Sequence, residues 1–404
     1  MDIKPIISAL GRHRVAATLI VLEIALACAV LCNAFFLVSN RIGLTRIDSG
    51  IDESALGAIT LSGCDGCGNA DINARVLGAL RAIPGVRAAG TVNTTPFDVP
   101  AAYAGTSLDR EDKHWGGVLH FYLFDPAAFE TLGLRLVQGN AFAADDFRPI
   151  DSFVPNDAPV WITRSLAEHW WPGENPIGKE FWGAGHFRVA GVVEHFAVPE
   201  PGRSEEGVAG AQWSVIVPVQ ANAQAGSYVL RADPLDLPQV MQAARDAVAR
   251  TVPEAVLDQK RSRPLSELRE TYFLSDRTMA WLLVAVIAAM LLVTALGIVG
   301  LASFWVAQRT KQIGIRRALG ATRGDILRYF QTENFLLASG GIVLGMLLAY
   351  AGNLLLMKHF ELARLPLPYL PVGAALLWAL GQLAVLGPAL RAAAIPPVVA
   401  TRSA

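Results

Sequence analysis

Charge is scarce in this chain. Of 404 residues, 17% are Asp, Glu, Lys or Arg and 53% are hydrophobic, whereas a soluble domain carries about 25% charged residues. The deficit is local. Residues 279–306, 334–357 and 365–390 hold no charged side chain, and residues 15–38 hold only Glu23. Apolar runs of roughly 20 residues read as membrane helices, so we expect spans at residues 15–38, 278–306, 333–357 and 369–391. Cysteine is also scarce, with four in all. Cys28 and Cys32 fall in the first run and read as small packing residues. Cys64 and Cys67 form a C-x-x-C in the polar region, without the further Cys or His that a zinc site requires. A local disulfide or a pair of free thiols is expected there in an oxidising compartment.

Catalytic patterns are missing too. There is no Gly-x-Ser-x-Gly and no H-E-x-x-H, and His114, His120, His169, His186 and His195 lack metal-ligand spacing. Gly173, Gly178 and Lys179 fit the G-x-x-x-x-G-K phosphate loop. However, Glu180 stands where a hydroxyl should hold Mg²⁺, and Pro176 breaks the run of backbone donors. We expect no enzyme centre, no metal, no cofactor bound by this chain and no nucleic-acid partner.

What charge there is has a direction. The net charge is −1, but basic residues gather at the span ends: Lys4, Arg12 and Arg14; Arg309, Lys311, Arg316, Arg317, Arg323 and Arg328 against Asp325; and Arg391 and Arg402. The positive-inside rule then puts residues 1–14, 307–332 and 392–404 in the cytoplasm, and residues 39–277 and 358–368 outside. The first run is too long for a signal peptide and no A-x-A site follows it, so we expect an uncleaved anchor. Glu23 lies about 13 Å along a helix from Arg14. An intramembrane carboxylate is either functional or a link between helices through amides such as Asn33 or Gln382. Gly341, Gly345 and Ala349 form a small-residue stripe that lets helices approach closely, within one chain or between two.

The outer region repeats a strand–helix–strand pattern. Strand 55–61, helix 71–82 and strand 86–92 are matched by strand 227–231, helix 237–250 and strand 255–259, each helix having one apolar face. This predicts a split βαβ subdomain, with a mixed subdomain of about residues 125–217 inserted into it. The insert has a short helix at 126–132 and a clear strand at 187–193. Trp115, Trp161, Trp170, Trp171, Trp182 and Trp213 concentrate there, for core packing or for a ligand groove. Helix 265–277 is expected to lead into the second span. The fold class is therefore membrane α-helical, with four spans and a large α+β outer domain.

Between the second and third spans lies QRTKQIGIRRALGATRGDILRYFQTE, residues 308–333. It predicts a short helix, a turn at Gly320-Ala321-Thr322 and a second helix. Ile313, Ile315, Leu319, Ile326 and Leu327 share an apolar face opposite the arginines. A helix lying on lipid has no need of that turn, so a docking element for a soluble partner is the better reading.

The segment IGIRRALGATRGDILRYFQTE resembles the coupling-helix signature of the MacB/FtsX/LolC-type ABC transporter permeases. FDPAAFETLGLRLVQGNAFAADD, ITRSLAEHWWPGENPIGKEF and FRVAGVVEHF resemble that family's periplasmic core domain, and ALRAAAIPPVVATR its closing segment. The resemblance spans nearly the whole chain. It implies an inner-membrane permease subunit of the mechanotransmission type. Ile313, Arg316, Arg317, Leu319, Gly320, Ala321, Thr322 and Arg323 would couple to a dimer of a separate ABC ATPase subunit, which binds ATP and Mg²⁺. Other implied partners are a second permease copy or paralogue, membrane lipids, a periplasmic adaptor and an outer-membrane channel. The implied cargo, a peptide, antibiotic or lipid-like molecule, is exported from the periplasmic side. The same resemblance admits an FtsX-like regulator of a periplasmic enzyme, or a lipoprotein-release permease. The chain departs from the family pattern at Gln312 and Val399, where acids are common, and the ATPase is expected on a separate subunit rather than fused.

Overall fold

The computed structural model describes residues 14–63, 68–150, 153–360 and 365–396. Cys64 and Cys67 lie outside the described residues, as does Val399. The chain divides into two units, Gly43–Asp276 and Met1–Ile42 with Arg277–Ala404.

Gly43–Asp276 holds two sheets. The first draws on both ends of the unit: β1 (Leu56–Ser62) and β2 (Val86–Thr91) from the start, β10 (Ser227–Ala232) and β11 (Val256–Leu257) from the end. Their order is β11-β1-β10-β2, with every pairing antiparallel. That is the strand order of two interleaved βαβ halves. The crossover helices Asn69–Arg81 and Leu237–Thr251 bury Ile72, Val76 and Leu80, and Val240, Ala244 and Val248. Three-to-four-residue spacing puts each set on one helix face, against Ile59, Tyr228 and Leu230 of the sheet. The fourth strand is shorter than the expected 255–259. Only Val256 and Leu257 pair, and residues 258–264 then cover β1 through Ser262 and the Arg263 carbonyl.

The second sheet comprises β3 (Tyr103–Ser107), β4 (Trp115–Phe124), β5 (Leu136–Gly139), β6 (Ala158–Thr163), β7 (Glu180–Trp182), β8 (His186–Val193) and β9 (Ser214–Pro218). The order is β5-β8-β6-β9-β4-β3-β7, and β7 also pairs with β8, so the sheet curls back on itself. Closure of that ring protects the edges of β7 and β8, while β5 pairs with β8 alone. The insert therefore begins at Tyr103, upstream of the expected 125, because β3 and β4 belong to this sheet. Its core holds Leu119, Phe121, Ile162, Phe181, Phe187 and Val215, with Trp170 and Trp213 packed among them. The Trp170 indole donates to the Gly116 carbonyl at 2.8 Å and that of Trp161 to the Asn140 carbonyl at 3.1 Å. These tryptophans pack the core, whereas Trp115 remains 64% exposed.

Helix Leu265–Tyr272 does not run on into the next helix, as residues 265–277 were expected to. Phe273, fully buried, separates it from Leu274–Gln308.

The other unit is built on four long helices, each long and apolar enough to cross a membrane. The first is Arg14–Leu44, the second Leu274–Gln308, the third Arg323–Phe360 and the fourth Tyr369–Ala393. Ile24, Cys28, Leu31, Ile298, Ala338, Ile342 and Leu377 meet in its core.

Candidate functional site

The turn between the second and third long helices is built as a bracket. Helix Thr310–Ala318 ends at Leu319, and Gly320 follows with φ +102°, its N–H donating to the Arg317 carbonyl at 3.2 Å. A left-handed residue after a helix is the usual place for glycine. Thr322 then opens the third long helix by mutual capping with Asp325. The Thr322 N–H and hydroxyl donate to its carboxylate at 2.9 and 2.6 Å, and the Asp325 N–H donates back at 3.2 Å. Such a capping box satisfies donors that a helix start leaves free.

The expected coupling residues do not share one surface. Ile313 is buried with Ile326, Phe330, Val306, Ala389 and Ala392. Ile315 and Leu319, placed on the same apolar face by the sequence, are 47% and 83% exposed. They stand one turn apart and point outward together. Two apolar stripes thus replace the single one expected, an inner stripe that seats the helix and an outer one left bare. The arginines divide likewise. Arg317 turns inward and donates to the carbonyls of Ala393 (3.1 Å) and Ile395 (2.6 Å), capping the fourth long helix. Arg316 is exposed and stacks 4.8 Å over the Tyr329 ring. Ala321 is half-buried, while Thr322 and Arg323 are exposed.

One pair that the sequence reading did not single out anchors the bracket. Arg309 Nη1 donates to both Glu333 oxygens, at 3.0 and 2.9 Å, with side chains only 10% and 2% exposed. The available signal was an acid and a base at the ends of two uncharged runs, 24 residues apart.

Elsewhere in this unit, the small-residue stripe meets the first long helix of the same chain. A Cβ on Gly341 would lie 2.8 Å from Ile24 and 2.9 Å from the Val21 carbonyl, and one on Gly345 would lie 2.6 Å from the Ala25 carbonyl. Ala349 is buried, and its carbonyl accepts from Asn33 Nδ2 at 3.3 Å. Glu23 is half-buried with its carboxyl over Gly297, where a Cβ would lie 2.3 Å from Glu23 Oε1 and push the carboxyl aside. The amides named as possible partners are used elsewhere: Asn33 on the Ala29 and Ala349 carbonyls, Gln382 on the Gln331 carbonyl. In the 173–179 loop, Lys179 pairs with Glu174 and lies 5.1 Å over the Trp171 ring, so its charge is spent within the loop.

Residues 19–247 match the family model described as the MacB-like periplasmic core domain, and residues 284–397 match the FtsX-like permease C-terminal. The first match alone takes in more than half of the chain. The chain belongs to the MacB/FtsX permease family. Among relatives, the macrolide export ATP-binding/permease protein MacB of Bradyrhizobium diazoefficiens is 35% identical over 136 residues, 33% of this chain and 21% of that protein. The pyoverdine export ATP-binding/permease protein PvdT of Pseudomonas syringae pv. syringae is 35% identical over 130 residues, 32% of this chain and 20% of that one. The aligned part is thus about a fifth of the length of such relatives. Among solved structures, the periplasmic region of MacB from Actinobacillus actinomycetemcomitans aligns with 14% identity and a TM-score of 0.32, over 55% of this chain and 94% of that one. Both halves of this chain, the outer α+β unit and the helical unit with its bracketed turn, therefore have counterparts in the MacB/FtsX family.

Proposed function

We propose that this chain is the permease of an ABC-type exporter in a bacterial inner membrane, with its bracketed turn and both termini cytoplasmic and Gly43–Asp276 periplasmic. An ABC ATPase, working as a dimer with ATP and Mg²⁺, docks on the tip formed by Ile315, Arg316 and Leu319. Two permease copies present two such tips to it. Closure of the ATPase dimer on ATP moves the tip, and the motion serves export of a peptide, antibiotic or lipid-like cargo from the periplasmic side. The relatives' names, macrolide export and pyoverdine export, support the export reading, and an adaptor and an outer-membrane channel would fit the same scheme.

The observation that carries this reading is the bare outer stripe. Leu319 is 83% exposed at the end of a helix whose inner face is firmly seated. Burying one such side chain in a partner is worth about 1.5–3 kcal/mol. The test is affinity purification of the full chain in mild detergent from its own host, with an Ile315→Glu/Leu319→Glu variant beside it. Wild type should bring down an ATPase, and the variant should lose it while keeping its melting temperature. Equal recovery of the ATPase by both proteins refutes the docking site.

A further inference from the structure

Beside the β3–β4 pair lies a cleft of about 410 Å³, within the range of about 300–1,000 Å³ typical of sites that hold one small organic molecule. One wall is apolar, made by Val99, Pro100, Tyr103 and Val118. Val99 and Tyr103 are 57% and 56% exposed, although the sheet behind them is densely packed. The opposite wall carries Glu200, Arg203, Ser204 and Glu205, and His120 also lines the cleft.

The cleft is held open from both ends of its polar wall. Glu206 Oε1 accepts the Val118 N–H at 2.8 Å. Arg203 donates to Asp276 at 2.7 Å and to the Tyr272 carbonyl at 3.1 Å, and it stacks 4.3 Å over the Tyr272 ring. Collapse of this wall onto Tyr103 would break those contacts, so the space is preformed and a ligand meets little ordering cost.

Among the described residues, two buried polar atoms of residues that line it have no hydrogen-bond partner, His120 Nδ1 and Ser204 Oγ. His120 is only 6% exposed, and a native fold rarely leaves such a group unsatisfied without a reason. Burial keeps the imidazole neutral, its pKa lowered to about 4. The charge of Arg203 is taken by Asp276, while no hydrogen bond or ion pair of the described residues engages the Glu200 or Glu205 carboxylate. The cleft therefore joins an apolar wall and a neutral hydrogen-bonding side chain to two uncompensated negative charges.

We propose that this cleft binds a small amphipathic amine. Its apolar body lies on Val99, Tyr103 and Val118, its ammonium group faces Glu200 and Glu205, and a polar substituent reaches His120 and Ser204. The site lies wholly within Gly43–Asp276 and does not depend on where an ATPase docks. The test uses the full chain in lipid nanodiscs and equilibrium dialysis of three matched probes: 1-naphthylmethylammonium, 1-naphthylmethanol and 1-naphthylacetate. Empty nanodiscs correct for partition into lipid. The ammonium should bind about tenfold more tightly than the alcohol, with the carboxylate weakest. Glu200→Gln with Glu205→Gln should erase that preference and leave the alcohol's affinity unchanged, and Tyr103→Ala should weaken both ammonium and alcohol. Equal affinity for the three probes, no binding above empty nanodiscs, or a preference that survives the double substitution overturns the proposal.

Discussion

A neutral histidine in a desolvated place makes the stability of its unit depend on pH. Burial lowers the pKa of His120 from the ordinary 6.5 to about 4. As pH falls below 6.5 the unfolded chain takes up a proton that the native imidazole refuses until pH 4. The unfolded state therefore binds more protons in that window, and native stability falls as the solution is acidified. The full loss from this one group is about 3 kcal/mol. His120→Gln should accordingly flatten the acid limb. Urea unfolding followed by tryptophan fluorescence at pH 7, 5.5 and 4.5 should show wild type losing stability faster than the variant, by close to one proton's worth of slope. Parallel curves would mean that the imidazole is already charged. Residues also show where sequence reading stopped. The sequence lists six basic residues between 309 and 328 as equals. The structure spends Arg309 on Glu333 and Arg317 on the Ala393 and Ile395 carbonyls, and leaves Arg316 outside. Composition carries charge sign but not direction, and direction came from which turn of the helix meets the buried cluster.

Close approach of helices is where a single methylene is felt. Gly345 has the first long helix against it, with the Ala25 carbonyl 2.6 Å and Cys28 Cβ 2.5 Å from where a Cβ would stand, whereas Gly352 has nothing within 4 Å. Gly345→Val forces these helices apart, at a cost of about 1–3 kcal/mol for overpacking. Gly352→Ala removes a flexible residue from a helix interior and should be neutral or gain up to about 1 kcal/mol. Thermal unfolding in detergent should come earlier for Gly345→Val and no earlier than wild type for Gly352→Ala, and a Gly345→Val protein as stable as wild type would deny the packing. The glycine stripe itself was legible in the sequence, but its partner was not, because spacing along one helix says nothing of which neighbour fills it. The same limit governs the outer unit. The helices over residues 69–81 and 237–251 were readable from their apolar period. β3 and β4 were not, since Gly105, Gly116 and Gly117 interrupt any alternation. The parallel pairing of β4 with β9 joins residues roughly 94 apart, for instance His120 with Ser214, and leaves no local mark. Likewise the break at Phe273 has no Pro or Gly to announce it. It follows from the burial of that ring among Phe97, Leu265 and Leu268.

At the scale of the whole molecule, the proposed docking tip is expected to depend on a buried ion pair beneath it. Arg309, just past the end of the second long helix, is tied to Glu333 inside the third, and Trp305 stacks 5.7 Å from the guanidinium. Such a pair adds little net stability, because desolvating two charges offsets most of their attraction. Its loss is asymmetric, however. Glu333→Gln leaves a guanidinium uncompensated in a site 10% exposed, a change that costs about 3–5 kcal/mol when one partner of a buried pair is removed. Replacing both residues, Arg309→Met with Glu333→Leu, removes the charge as well as its partner and should restore most of that stability. Because helix Thr310–Ala318 follows Arg309 directly, the single variant should also shed the ATPase that the tip is proposed to hold, and the double variant should regain it. Melting temperature and ATPase recovery from one preparation of each variant test both statements together. A Glu333→Gln chain that melts with wild type would show that Arg309 finds another partner. A double variant that is stable but still lacks the ATPase would show that the ion pair itself, rather than a well-seated bracket, is what the partner reads.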